Sequence, residues 1–304
     1  MDGPQSAVAE RPCPVCGGRS TLLFAEERLD ASRIDALTYA SRKPPEFMCL
    51  RLVRCVACDL VFAATPPDRE FLGTAYAEAG YDSATEAQAA ATTYAEALKA
   101  HVKRLPRLGP AVDVGAGSGP LLPLLESMGF CPVLGVEPSH AAIAAAAPEV
   151  RRKLRQGMFS RALLGDLRPV LICCFMTLEH LADPSGFVAT AVELLEPGGL
   201  LAVVVHNWRA APNRLLGMRS PIIDVEHLQL YSPRSVRSQL ERAGLASVEL
   251  QPIVNTYPLR YWVRLAPVPR RLRPPLEGFL SRSGLARWRV SLPAGNLLAV
   301  GFKQ

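Results

Sequence analysis

Three histidines carry the chemistry most readily legible in this chain. His180 and His227 each follow a glutamate, Glu179 and Glu226, and His206 closes the apolar run "LLAVVVHN". An imidazole titrates near neutral pH and can take a hydroxyl proton, while an adjacent carboxylate can orient the ring or bind a hydroxyl itself. A second constellation is made of sulfur. Cys13 and Cys16 in "CPVCGG" and Cys55 and Cys58 in "RCVACDLVF" form two C-x-x-C knuckles with 38 residues between them. Each knuckle aims two thiolates at one point, and four thiolates complete the tetrahedral shell of a closed structural zinc site. The redox reading of C-x-x-C needs a β-α-β setting that neither knuckle has. Cys49 is a spare.

The third feature is "DVGAGSGP", residues 113–120, with Gly115, Gly117 and Gly119 behind Asp113. These glycines let backbone approach a ligand at the carboxyl edge of a sheet. A dinucleotide fingerprint, G-x-G-x-x-G, wants its third glycine at 120, where this chain has Pro120. Glu137 closes the next apolar run in "VLGVEPS", 22 residues after Gly115, and is placed to accept both hydroxyls of a ribose while repelling a 2′-phosphate.

These groups need a scaffold. From residue 109 short apolar runs alternate with helical stretches, the pattern of a parallel sheet, with strands expected at 111–115, 132–136, 170–175, 200–205, 247–252 and 296–302 and a weaker one at 152–155. The fold class is α/β, a Rossmann-like doubly wound, mostly parallel sheet with a small N-terminal zinc-ribbon-like module. Three regions follow: a zinc-binding module at 1–65 with a loop or strand pair inserted near 21–50, a helical linker or lid at 66–108, and a ligand-binding domain at 109–304. The alanine-rich "ATEAQAAATTYAEALKAHVKRL" predicts a helix running up to Pro106. A basic, proline-rich insertion at 253–293 interrupts the last two strands.

Charge sharpens that division. Residues 1–65 hold eight basic and eight acidic side chains, whereas 253–293 hold eight arginines against Glu277 alone. That segment interleaves Tyr257, Tyr261, Trp262 and several leucines with arginine, so it can touch an anionic membrane, a lipid-linked phosphate or RNA, or serve as a solvated cap. No apolar run approaches the roughly 18 residues of a membrane span, and the acidic start lacks a secretory pattern, so the expected location is cytoplasmic.

The D-x-G-x-G-x-G loop resembles motif I of class I S-adenosylmethionine-dependent methyltransferases. "FMTLEHLADPSGFVATAVELLEPGGLLAVVVHN" and "EHLQLYSPRSVRSQLERAGL" extend the resemblance over 109–252. A four-cysteine module ahead of such a domain further resembles bacterial methyltransferases of sugar and cell-surface glycan pathways, including sugar C-methyltransferases. The resemblance implies S-adenosylmethionine as cofactor, held by Asp113, Gly115, Gly117, Gly119 and Glu137, with Met158 and Phe159 beside the adenine. It implies structural zinc on the four cysteines. The acceptor would be a small molecule, sugar or glycan, methylated at a hydroxyl or an enolised carbon.

In the sugar enzymes an E-H pair after the fifth strand belongs to the active site, and Glu226-His227 fit that position without the tyrosine that precedes the family's pair. Glu179-His180 stand at a strand end where the pair can support the site without moving a proton. Ubiquinone-pathway O-methyltransferases carry E-x-x-E-H there, but the first acid falls on Met176, a poor magnesium ligand, so no catalytic metal is expected. Tyr76, Tyr81 and His206 are candidates for the acceptor pocket. The competing readings are an RNA methyltransferase, disfavoured by the neutral cysteine module and the lack of an N-P-P-Y-like stretch, and a non-catalytic zinc and nucleoside-binding scaffold.

Overall fold

The computed structural model describes residues 11–34, 38–40, 45–81, 84–266, 268 and 271–304. Its strands are β1 Thr21–Ala25, β2 Leu52–Cys55, β3 Val61–Ala63, β4 Ala111–Val114, β5 Val133–Glu137, β6 Leu154–Gln156, β7 Leu171–Phe175, β8 Leu200–His206, β9 Gln229–Leu230, β10 Leu245–Pro258 and β11 Arg289–Lys303. Seven of them form one sheet in the order β10-β11-β8-β7-β4-β5-β6. From β8 to β6 the strands run parallel, and β11 enters antiparallel between β8 and β10.

The central strands are short and apolar because both faces are covered. Along β4 and β7 alternate residues serve opposite cores: Val112, Val114, Ile172 and Cys174 on one side, Ala111, Leu171 and Cys173 on the other. The alanine-rich helix Ala84–Val102 covers the second face, burying Ala87, Ala91, Tyr94 and Leu98 at helical spacing. It ends short of Pro106, because residues 103–106 relax into turns.

Two boundaries differ from expectation. The last two strands run deep into 253–293, pairing as a two-stranded ribbon beyond the sheet (Asn255↔Leu292, Tyr257↔Val290), so the true excursion is the helices Leu259–Leu265 and Arg273–Arg282 at its tip. Arg270 of the basic run lies outside the described residues. The N-terminal region is also less separate than the spacing implied. β1, β2 and β3 form an antiparallel meander, of which β1 and the isolated Arg28–Cys49 bridge occupy the predicted 21–50 insertion. β9, from the far end of the chain, completes this sheet beside β3. A three-stranded meander with one short edge strand has an open ladder, and the two-residue β9 covers it. Cys13, Val53 and Phe62 share one apolar core with Val112, Ile172 and Leu201. Among the described residues no helix is long and apolar enough to cross a membrane.

Candidate functional site

A cavity of about 650 Å³ opens at the carboxyl ends of β4, β5, β7 and β8. One side is made largely of backbone. β4 runs into the glycine loop, where Gly115, Gly117 and Gly119 have φ of +73°, +57° and +72°. Two of these are also sterically obligatory: a Cβ on Gly115 would lie 2.2 Å from Thr177 Oγ1, and one on Gly119 would lie 2.5 Å from Val150 Cγ1. At Gly117 the space is open apart from Tyr81, whose hydroxyl pairs with Ser118 Oγ at 2.6 Å. Tyr81, expected in the acceptor pocket, thus closes over the glycine loop instead.

The Glu137 carboxylate sits at the end of β5, accepting from the Gly117 amide at 2.7 Å and the Ser139 amide at 2.8 Å. Burial raises its pKa against the opposing pull of these two bonds. Asp113 is buried and lines the cavity, as do Gly157, Met158 and Phe159 beyond β6, with Met158 47% exposed at the rim. This half, with an apolar rim, a close-approach loop and two buried carboxylates, fits a nucleoside bearing an amino-acid tail.

The other half is made of side chains from distant segments. β7 turns at Phe175 into a single helical turn, Leu178–His180, which presents His180 to the cavity. The Glu179 carbonyl accepts the Leu228 amide at 2.9 Å, and the Gln229 side chain donates to the Leu181 carbonyl at 2.7 Å, so the 222–230 loop is stitched alongside this turn. His180 and His227 rings therefore lie 4.9 Å apart between centroids, His227 lies 5.1 Å from His206, and His180 Nδ1 is 3.5 Å from Glu226 Oε2.

Hydrogen bonds assign the tautomers. His227 Nδ1 lies 2.9 Å from the Ile222 carbonyl, which only accepts, so in the neutral ring Nδ1 carries the proton and Nε2 the lone pair. Asn296 donates its amide to Asn255 Oδ1, which turns its own Oδ1 to accept from His206 Nδ1 at 2.9 Å. Burial and the neighbouring His227 push His206 down to about 3, which keeps it neutral and makes it a weak base.

Glu179 is corrected by the same geometry: it is fully buried, does not line the cavity, and its Oε1 accepts the His206 amide at 2.7 Å. Burial pushes it up to about 7. It holds the end of β8 in place and touches nothing in the cavity. Tyr76 stands edge-on to His180, 6.0 Å between centroids, with a buried hydroxyl that has no hydrogen-bond partner among the described residues. Tyr39 and Asp224, which no sequence motif marks, also line this half, as do Tyr257, Tyr261 and Trp262, which the sequence marks only as part of the basic segment.

His180, Glu226 and His227 each bring one ligand atom within 4.8 Å of the others, a donor set that a divalent ion also accepts. The cysteines converge as well: Cys13–Cys58 and Cys16–Cys55 sulfurs are 3.5 Å apart, and all four lie within 4.8 Å of one another. A tetrahedron with Zn–S of about 2.3 Å has edges near 3.8 Å, so the four thiols fit zinc.

Residues 86–250, just over half of the chain, match the family model described as a methyltransferase domain. The chain belongs to that family. It is an S-adenosylmethionine-dependent methyltransferase. A curated relative, the ubiquinone biosynthesis O-methyltransferase of Methylococcus capsulatus, is 28% identical over 172 residues, 49% of this chain and 70% of that protein. Among solved structures, a SAM-dependent methyltransferase from Archaeoglobus fulgidus has a TM-score of 0.47 at 14% identity, covering 78% of this chain and all of that one. The YcgJ protein of Bacillus subtilis also has 0.47, at 17% identity, covering 69% of this chain and 98% of that one.

Proposed function

We propose that the protein transfers a methyl group from S-adenosylmethionine to a hydroxyl of a polyhydroxylated small molecule, a sugar or glycan unit, with His227 as general base. The observation that carries this is the convergence of His180, His227 and Glu226 on the wall of the same cavity that the glycine loop lines. When bound, S-adenosylmethionine supplies a methyl already activated on a sulfonium, so the protein has only to align a nucleophile and take its proton. Asp113, Gly115, Gly117, Gly119 and Glu137 would hold the cofactor. His227 Nε2, its tautomer set by the Ile222 carbonyl, would accept the acceptor's proton as oxygen bonds to the methyl carbon and the S–C electrons return to sulfur.

Glu226 would stabilise the resulting imidazolium or hold a second hydroxyl, and the unpaired Tyr76 hydroxyl would find its partner on the acceptor. Rings of Tyr257, Tyr261 and Trp262, packed edge to face 4.7 and 5.3 Å apart, offer an apolar wall beside these polar groups, the pairing that suits a sugar. The test is transfer of isotopically labelled methyl into cell-envelope glycans and nucleotide sugars. Label in an acid-stable methyl ether supports the reading, and label confined to RNA or protein contradicts it.

A second reading is favoured by the same convergence: a divalent ion on His180, Glu226 and His227 that would bind the acceptor oxygen. Dialysis against a weak chelator, which leaves a four-cysteine zinc site filled, separates the two. Full methylation afterwards supports the base, and loss restored by added cation supports the ion.

A further inference from the structure

The tip of the β10–β11 ribbon combines three features that the methyl-transfer chemistry does not use. It carries large apolar side chains in solvent: Leu272 is 59% exposed, Phe279 61% and Trp288 65%. It carries cations without counter-charges, since among the described residues Arg271, Arg282, Arg287 and Arg289 make no ion pair, whereas Arg260 lies 3.5 Å from Glu86 Oε1. Its prolines limit it to two short helices, Leu259–Leu265 and Arg273–Arg282, too short to cross a bilayer. Leu272, Leu276 and Phe279 follow the spacing of one helical stripe, with the buried Leu280 turned inward.

The tip stands on a platform tied down by hydrogen bonds and edge-to-face rings. Tyr257, Tyr261 and Trp262 stack at its base, Trp262 Nε1 donates to the Val290 carbonyl at 2.9 Å, and the Leu259 amide donates to the Trp288 carbonyl at 2.8 Å. The base of this platform, through Tyr257, Tyr261, Trp262, Leu265 and Leu292, is also a wall of the cavity. Whatever the tip touches is therefore held beside the acceptor half of the site.

We propose that this tip docks on an anionic membrane surface, with Leu272, Phe279 and Trp288 entering the headgroup boundary and Arg271, Arg282, Arg287 and Arg289 over the acidic headgroups. Bare apolar side chains among cations are what an interfacial element needs: apolar area gives hold, and each basic residue near the surface adds attraction that decays within a Debye length. RNA would use the arginines and stack bases on Phe279 or Trp288 but leave the aliphatic Leu272 in water, and a second copy would bring the same positive charge against itself.

The test is co-sedimentation of the full chain with extruded vesicles of phosphatidylcholine alone or with 40% phosphatidylglycerol. At about 0.1 M salt the expected result is binding to the anionic vesicles only. Phe279→Glu with Trp288→Glu should lower the partition coefficient at least tenfold, as should Arg282→Glu with Arg287→Glu. S-adenosylhomocysteine affinity within twofold of wild type certifies that the variants fold, and it separates failure of this proposal from failure of the cofactor reading. Three results would overturn the proposal: no partition of wild type into anionic vesicles, partition unchanged in both variants, or self-association that Phe279→Glu with Trp288→Glu abolishes while vesicle binding is absent.

Discussion

The two halves of the cavity are built on different principles. On the proposed cofactor side, strand, loop and helix follow one another without interruption, and the lining is mainly backbone, shaped by Gly115 and Gly119 and flanked by two buried carboxylates, Asp113 and Glu137. On the proposed acceptor side, His180, His206 and His227 come from three segments, and their relation depends on long-range bonds: Leu228 to Glu179, Gln229 to Leu181, His206 to Asn296. Local construction makes the cofactor half hard to perturb from elsewhere. Long-range construction makes the acceptor half sensitive to anything that moves β8, β9 or the ribbon.

The contrast predicts where damage lands. His227→Gln should lower turnover by about a hundred- to ten-thousand-fold, the range for losing a general base, with S-adenosylhomocysteine affinity within twofold. A variant that loses both equally would dissolve the distinction. Next comes a strong thiol-competing chelator, which would remove the zinc that the four thiols fit. Cys55 and Cys58 flank the β2–β3 turn and β9 pairs with β3, so release of the ion should loosen the 222–230 loop and abolish most methylation. Cofactor binding, measured by calorimetry on the same sample, should fall much less.

Glu179 gives a pH-resolved version. Its folded pKa, pushed up to about 7, exceeds the ordinary carboxylate value of 4.5, so the stability tied to its protonated form is complete below about pH 4.5 and is lost as pH rises toward 7. Glu179→Gln, which stays neutral, should match wild type near pH 4.5 and exceed it by up to about 3 kcal/mol at pH 8 in denaturant titrations. A difference that does not vary with pH would remove Glu179 as the buried anchor of β8. The smallest effect belongs to Glu137→Gln, which keeps the shape but loses the charge facing a ribose. About tenfold weaker S-adenosylhomocysteine binding is expected by calorimetry, on the scale of one charge-assisted hydrogen bond.

Legibility in the sequence follows the same division. The glycine loop, Glu137 and each C-x-x-C knuckle are read from short contiguous motifs, and that the two knuckles, 38 residues apart, meet follows from the four-thiolate chemistry of a zinc site. The histidines are identifiable as residue types, but their meeting point is not, because it depends on a two-residue strand, Gln229–Leu230, joining a sheet that begins 208 residues earlier at Thr21. The place of Tyr81 over the glycine loop is illegible for a similar reason: nothing local says that its hydroxyl reaches Ser118. Asn296 and Trp262 become part of the site only when the ribbon folds back, and prolines in 253–293 disguised strands whose paired residues lie outside the main sheet.

The most direct test of the account is calorimetric titration of S-adenosylhomocysteine into wild type, Gly115→Ala and His227→Gln. At position 115 a methyl meets Thr177 in a backbone conformation that alanine rarely adopts, so Gly115→Ala should bind about a hundredfold more weakly. Wild type and His227→Gln should bind alike at one site. Wild type that fails to bind, or Gly115→Ala that binds as well as wild type, would contradict the assignment of the glycine loop as the cofactor's seat.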